Sequence, residues 1–350
     1  MCPLRYLFIE ITQRCNLDCL HCGSDCGKAP QLDELSTEEW LHFFEYLAAH
    51  FDKKKLILVI TGGEPLCHPE FGRITAALKK HELVWGMVTN GFSLTQAKLK
   101  KLINNGLASI TISLDGLQAS HDWLRGRKGA FKNAVQSIGL VAAQNIPFFD
   151  IVTCVNPRNL PELPAIEELL RNQGVPAWRL FSIFPKGRAK TNGELILSDQ
   201  ETNQMFQWIA QRRRANHGNG LNLEFCCEGY LPRNTDRAVR NDPYFCRAGI
   251  SIGSVLCDGA ISACPNIARS LVQGNIRTDD FQQIWETKYQ PYRNRNWMKQ
   301  GECSDCKEWK RCLGNSMHLW DDELNRTVRC FRDISVSAQQ FSLKVKKSKS

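Results

Sequence analysis

Tyr6–Thr12 (YLFIEIT) runs straight into Gln13-Arg14-Cys15-Asn16-Leu17-Asp18-Cys19-Leu20-His21-Cys22, and the rest of the chain is read from this stretch. The first seven residues are β-branched, aromatic and apolar enough for a strand. The next ten hold three cysteines in a C-x₃-C-x₂-C spacing. Three thiolates on a loop that follows a strand can each hold one iron of a 4Fe–4S cube. The fourth iron is then left without a protein ligand, the open position a catalytic metal needs. A zinc site, or three buried thiols, is the alternative at this point.

Outward from the loop, strand-like and helix-like segments alternate. Strands are expected at Tyr6–Thr12, Lys55–Thr61, Val84–Thr89, Ser109–Leu114, Phe148–Val155 and Trp178–Ile183. Helices are expected near Thr37–His50, Glu70–His81, Leu94–Asn104, Phe131–Gln144 and Leu160–Asn172, and again at Asp199–Ala215. Ser36 and Glu39 have capping-box spacing, and Asn104-Asn105-Gly106 is a helix stop. Strict alternation points to an α/β fold with a parallel sheet, doubly wound or partly closed as a barrel. In a barrel the chemistry falls on loops at the C-terminal ends of the strands. After Pro185-Lys186-Gly187-Arg188 the pattern changes, and past the loop His217-Gly218-Asn219-Gly220 the periodicity fades while cysteines become dense. The expected domains are 1–220, 221–335 and a basic tail at 336–350.

The 350 residues include 16 cysteines, with 45 Lys and Arg against 36 Asp and Glu for a formal charge of +9. No apolar run is long enough to span a bilayer, and the N-terminus lacks the layout of a secretory signal. A cytoplasmic protein is expected, with no membrane partner, and there thiols stay reduced and so many of them point to metal. Lys344, Lys346, Lys347 and Lys349 in the tail carry part of the positive balance.

Three later loops bear on the chemistry. Gly62-Gly63-Glu64-Pro65 follows the second strand, Thr89-Asn90-Gly91 the third, and Ser113-Leu114-Asp115-Gly116 ends the fourth. With the cysteine triplet, these resemble the radical S-adenosylmethionine (SAM) superfamily over roughly residues 5–190. The resemblance implies a partial (β/α)₆ TIM-like barrel. It implies a 4Fe–4S cluster on Cys15, Cys19 and Cys22, whose open iron chelates SAM. Reductive cleavage of SAM would yield a 5′-deoxyadenosyl radical that abstracts a substrate hydrogen. Gly62, Gly63, Glu64 and Pro65 match the family's GGEP motif, with Glu64 accepting from the SAM ammonium. Asn90, Ser113 and Asp115 would lie beside the cofactor, with a turn cap as the alternative for Asp115. Arg125, whose fork suits the SAM carboxylate, has a solvated surface arginine as its alternative.

The second half resembles the SPASM extension of such enzymes, a small Cys-rich, irregular domain with auxiliary clusters. Cys246, Gly259 and Cys264 fit its first part, with Cys257 between, and Cys303, Cys306, Cys312 and Cys330 fit its second. The x₃-Cys position after Cys312 is Ser316, where the family's cysteine crosses over to the first auxiliary cluster. Cys303, Cys306, Cys312 and Cys330 would still close one cluster. Cys246, Cys257 and Cys264 would leave the other with an open iron, a Ser316 ligand, a smaller cluster or none, and Cys226 or Cys227 could supply a thiolate. Read without the resemblance, the same set could be a zinc knot. Cys154 is expected as an apolar filler, while Cys26 and Cys67 fall on active-end loops where a thiol could donate a hydrogen atom.

The leading expectation is a radical SAM/SPASM maturase of a peptide or protein: cross-link, thioether, oxidation or epimerisation. The barrel begins by residue 6, so a peptide would be held by the groove between the domains or by a separate leader-binding protein, with the basic balance favouring an acidic leader. A flavodoxin or ferredoxin would supply electrons. The alternative is a radical SAM dehydrogenase or cofactor-biosynthesis enzyme for a small molecule. A zinc-bearing nucleic-acid binder would use Arg212-Arg213-Arg214 and the stretch from Tyr289 to Trp297; a helix end explains the arginines as well, and nucleic acid is not expected as a partner.

Overall fold

Seven parallel strands lie side by side in chain order: β1 (Tyr6–Glu10), β2 (Ile57–Thr61), β3 (Val84–Thr89), β4 (Leu107–Ser113), β5 (Phe148–Val155), β6 (Ala177–Ser182) and β7 (Asn222–Phe225). The computed structural model that shows this describes residues 2–215, 220–226 and 229–334; Cys227 and the tail at 336–350 lie outside them. Helices α1 (Thr37–His50), α2 (Phe71–Lys80), α3 (Gln96–Asn104), α4 (Gln118–Leu124), α5 (Ala130–Ala142), α6 (Leu163–Asn172) and α7 (Asp199–Ala215) fill the crossovers. At the start of α1 the Ser36 hydroxyl accepts the Glu39 N–H at 3.2 Å and the Glu39 carboxylate accepts the Ser36 N–H at 2.7 Å. This reciprocal cap satisfies two donors the helix leaves free.

The sheet runs past the domain border expected at residue 220. β7 pairs in parallel with β6, Leu223 opposite Trp178. At the other edge β8 (Ile252–Val255) pairs in parallel with β1, Val255 opposite Ile9. Antiparallel β9 (Ala260–Ser262) and β10 (Gly274–Asn275) complete one ten-stranded sheet. Strands of two to four residues are too short to show a period in the sequence, so only pairing reveals them.

One face of the sheet is closed by helices: Ile9, Leu58, Ile60, Ile110, Ile112 and Ile151 are all 0% exposed. Each contributes about 1.5–3 kcal/mol by leaving water. The alternate residues, among them Phe8, Val59, Val88, Asp150, Arg179 and Phe181, are only half-buried. A parallel sheet usually buries both faces; here the second face is left partly open. Because the strands are parallel, the loops carrying the cysteines, Gly62-Gly63, Asn90 and Asp115 all emerge at the same end.

The basic stretches of the nucleic-acid reading are structural. Arg212 donates to the Glu167 carboxylate at 2.7 Å and Arg213 to the Arg240 carbonyl at 3.1 Å. Tyr289 and Tyr292 are fully buried.

Candidate active site and auxiliary cluster site

Loop 13–27 closes on itself after β1. The Cys15 N–H donates to the Gly27 carbonyl at 2.7 Å, and the Gly27 N–H returns to the Gln13 carbonyl at 3.2 Å. Cys15, Cys19 and Cys22 share one small apolar cluster with Leu17, Phe92 and Ala130. Each sulfur has a different N–H donor. Asn90 Nδ2 lies 3.9 Å from Cys15, Arg125 Nη1 lies 3.7 Å from Cys19, and the Cys26 amide lies 3.3 Å from Cys22. Sulfur accepts well only as an anion, so one donor per sulfur is the arrangement three metal-bound thiolates require. Burial pushes Cys15 up to about 12 and raises Cys19. These two thiols therefore release their protons to a metal's charge rather than to water. Cys22 is lowered to about 6, mainly by its bond with Cys26. The residues fit an iron–sulfur cluster.

Glycines let the neighbouring loops come this close. A Cβ on Gly62 would meet the Thr12 carbonyl oxygen at 2.4 Å, and one on Gly63 the Arg14 carbonyl oxygen at 2.5 Å. The Gly63 and Glu64 amides instead donate to those carbonyls at 2.8 and 2.9 Å. Pro65 follows, opening a short 3₁₀ turn. Glu64 is 0% exposed; it accepts from the Leu66 and Asn90 amides at 3.2 and 2.7 Å and from the Thr89 hydroxyl at 2.8 Å. Burial raises its pKa against these bonds. Two carboxylate oxygens offer about four acceptor positions, which leaves room for one further donor. Asn90 Nδ2 also donates to Asn16 Oδ1 at 2.8 Å, and Ser113 is buried where β4 ends.

Arg125 is neither a solvated arginine nor a free fork. It is 8% exposed and forms an ion pair with Asp115 at 2.5 Å, besides its contact with the Cys19 sulfur. Asp115 is 0% exposed and accepts the Cys154 N–H at 2.7 Å, so it does more than cap a turn. Burial works against charge on both, and their mutual attraction outweighs it: Arg125 is raised and Asp115 lowered. The pair sets a buried cation beside the Cys19 sulfur.

Three residues at the site were not singled out in the sequence. Arg188 donates to the Cys19 carbonyl at 2.7 Å and the Cys26 carbonyl at 3.0 Å. Arg127 covers the Phe92 ring at 4.0 Å and donates to the Asn16 carbonyl at 2.5 Å. Asn16 links that loop to Asn90. The glycine beside each arginine was a signal: a Cβ on Gly126 would lie 2.2 Å from the Asp18 carbonyl oxygen, and one on Gly187 2.2 Å from that of Cys22. Of the spare thiols, Cys26 is buried against Cys22, and Cys67 is half-buried beside the Glu64 turn.

In the C-terminal region Cys303, Cys306, Cys312 and Cys330 line a single small cavity with Tyr230, Trp309 and Arg332. Arg332 Nη1 lies 3.7 Å from the Cys306 sulfur, and burial pushes Cys312 up to about 12. These four also fit a cluster. Among the described residues no three Cys, His, Asp or Glu converge on one metal ion; a cubane spreads its thiolates over separate irons.

A catalytic cluster loop at the mouth of a partial barrel, followed by a Cys-lined auxiliary site, defines a class of iron–sulfur radical enzymes. Residues 9–170 match the model of the radical SAM superfamily and residues 246–307 that of the SPASM iron–sulfur cluster-binding domain; the chain belongs to the radical SAM enzymes with a SPASM domain. Its cofactors are SAM and 4Fe–4S clusters. An AdoMet-dependent heme synthase of Methanosarcina barkeri is 29% identical over 89% of this chain and 90% of that protein. The sporulation killing factor maturation protein SkfB of Bacillus subtilis is 31% identical over 64% of this chain and 56% of its own. The PqqA peptide cyclase of Rhizobium meliloti is 25% identical over 94% and 88%. The fold is shared with Streptococcus suis SuiB bound to S-adenosylmethionine, at a TM-score of 0.70 and 15% identity over 95% of this chain and 76% of that one. Among the described residues no helix is long and apolar enough to cross a membrane.

Proposed function

We propose that this enzyme removes hydrogen from a peptide or protein side chain held against the open face of the sheet. Cys15, Cys19 and Cys22 would hold the catalytic cluster, with Arg125, itself held by Asp115, against the Cys19 sulfur and Asn90 against that of Cys15. Glu64 takes the SAM ammonium, while Gly62, Gly63, Pro65 and Ser113 shape the cofactor's bed. When bound, the cluster and SAM supply the 5′-deoxyadenosyl radical; the chain binds, orients and excludes water.

The observation that carries the peptide reading is how the charges of the mouth are used. Arg179 is paired with Asp150 and donates to the Thr111 hydroxyl at 3.2 Å. Arg188 is within 3.5 Å of Asp18 and 3.1 Å of Asp25, Arg14 within 3.5 Å of Glu34, and Arg125 is held by Asp115. A substrate carrying several carboxylates needs uncommitted cations. An open face on which these four arginines are already held by carboxylates suits a peptide backbone instead. Relatives named as a PqqA peptide cyclase and a sporulation killing factor maturation protein support the same class.

The second reading, a tetrapyrrole substrate, is favoured by the heme synthase and the Fe-coproporphyrin III synthase of M. barkeri, which are collinear with most of this chain. One experiment separates the two. The anaerobic, reduced enzyme and SAM are given either the small-protein fraction of the producing cell or Fe-coproporphyrin III. A SAM-dependent mass change in a peptide, with matching 5′-deoxyadenosine, is expected; conversion of the tetrapyrrole with no altered peptide would overturn the proposal.

A further inference from the structure

Spacing alone gathers Cys246, Cys257 and Cys264 at a first auxiliary cluster. The fold does not. β8 and β9 form a hairpin with Ser254 opposite Ser262 and Val255 opposite Ile261. Cys257 lies beyond β8 at the hairpin tip, while Cys264 lies beyond the other end of β9. Five residue steps separate them, on the order of 15 Å at ~3.3 Å per residue. Cys257 is 0% exposed and its thiol is hydrogen-bonded to Glu10 of β1, with Asp258 and Glu34 close by. Cys246 belongs to the Cys264 end: the Gly249 N–H meets the Ile252 carbonyl at 2.8 Å, and the Cys246 and Cys264 thiols are electrostatic neighbours.

The position that would bring a crossing thiol is also filled. Leu313, Gly314 and Asn315 are all left-handed, with φ of 51°, 80° and 74°, and this turn aims Ser316 inward. Ser316 is 1% exposed; its hydroxyl accepts the Gly229 N–H at 3.1 Å and is hydrogen-bonded to the Tyr244 hydroxyl. The Tyr244 N–H donates to Asp236 at 3.0 Å, and Asp236 is ion-paired with Arg240. Arg240 donates to the Gly229 carbonyl at 2.9 Å, which closes the circuit, and its guanidinium stacks at 4.8 Å on both Phe225 and Tyr244. Each of these polar groups has a protein partner, so the ring ties residues 229–244 to residue 316 without metal.

We propose that this chain carries two iron–sulfur clusters rather than three. One sits on Cys15, Cys19 and Cys22 and one on Cys303, Cys306, Cys312 and Cys330. The first auxiliary site has been replaced by the knot of Asp236, Arg240, Tyr244, Ser316 and Gly229. The proposal rests on the radical SAM/SPASM reading and is independent of the substrate.

The test is iron and sulfide content, with Mössbauer spectra, on the anaerobically reconstituted full chain. About eight irons per chain are expected. Cys246→Ser with Cys264→Ser should keep about eight, and so should Cys226→Ser with Cys227→Ser. Cys303→Ser with Cys306→Ser should fall to about four. Ser316→Cys should stay at about eight, because Cys257 remains at Glu10. About twelve irons in the unaltered protein, or a gain of about four in Ser316→Cys, would overturn the proposal. If a double variant does not fold, the count on the unaltered chain decides. SAM binding on the same samples separates this failure from failure of the family reading: absent binding sinks the latter, and an altered iron count only the former.

Discussion

Loop 13–27 and the segment from Cys246 to Cys264 both present three cysteines at family spacing, yet only the first brings its three thiols together. In the loop, two spacers of three and two residues leave the sulfurs little freedom, and glycine-lined neighbours press the loop into one shape. In the segment, the thiols are distributed over a hairpin whose register sends Cys257 and Cys264 to opposite ends. Spacing within one loop is a statement about distance; spacing across a strand pair becomes one only when the pairing is known.

The comparison can be broken most directly at the cysteines. Replacing Cys15, Cys19 and Cys22 with Ala should abolish 5′-deoxyadenosine formation, while the C-terminal cluster keeps its absorbance near ~400 nm. Continued SAM cleavage in that variant would refute the role of the loop.

Next in size are the two buried ion pairs. Asp115→Asn and Asp236→Asn each strand a buried arginine, at a cost of about 3–5 kcal/mol in denaturant unfolding. They should part company in function: Asp115→Asn also weakens SAM cleavage, because Arg125 lies beside the Cys19 sulfur, whereas Asp236→Asn leaves the cleavage rate per folded molecule unchanged. Equal losses of cleavage would erase the distinction between the regions.

A smaller effect sharpens the account of the loop. Gly63→Ala places a methyl against two backbone carbonyls and should cost about 1–3 kcal/mol and weaken SAM binding by calorimetry. Gly27→Ala, whose Cβ would meet nothing within 4 Å, is the control and should bind SAM normally.

The smallest effect lies where α1 meets the C-terminal region. Arg277 donates to Glu39 at 2.6 Å, and that bond, with those from Ser36, holds Glu39 at about 2 rather than its ordinary 4.5. The depressed carboxylate contributes stability above pH 4.5 that is lost as pH falls towards 2. The pair is solvent-screened, so Arg277→Ala should cost about 0.5 kcal/mol at neutral pH and flatten the acid limb of the melting curve. An unchanged acid limb would show the pair to be idle.

Much of the fold was legible because hydrophobic periodicity and cap chemistry are local. α1 and α7 start and stop where the sequence places them, and the first six strands appear in order. β7 and β8 were not legible: four residues carry no period, and their identity as strands comes from partners more than 40 residues away in the chain. α4 was missed as well, although its end positions Arg125 and Gly126 against the cysteine loop. The motif residues Glu64, Asn90 and Asp115 were found, but their partners were not, since a hydrogen bond between loops leaves no mark in either loop.

The sequence by itself determined the parallel order of the barrel strands and the clustering of Cys15, Cys19 and Cys22 in one loop, because both follow from short-range spacing and alternation, and its motifs carried the resemblance to the radical SAM/SPASM class. Only the tertiary structure decided that Arg125 is tied to Asp115, that Cys257 turns to Glu10, and that Ser316 joins a metal-free knot. Those outcomes depend on sheet register and on which buried polar groups find one another, and the low dielectric of the interior makes such pairings all but obligatory once the chain has folded.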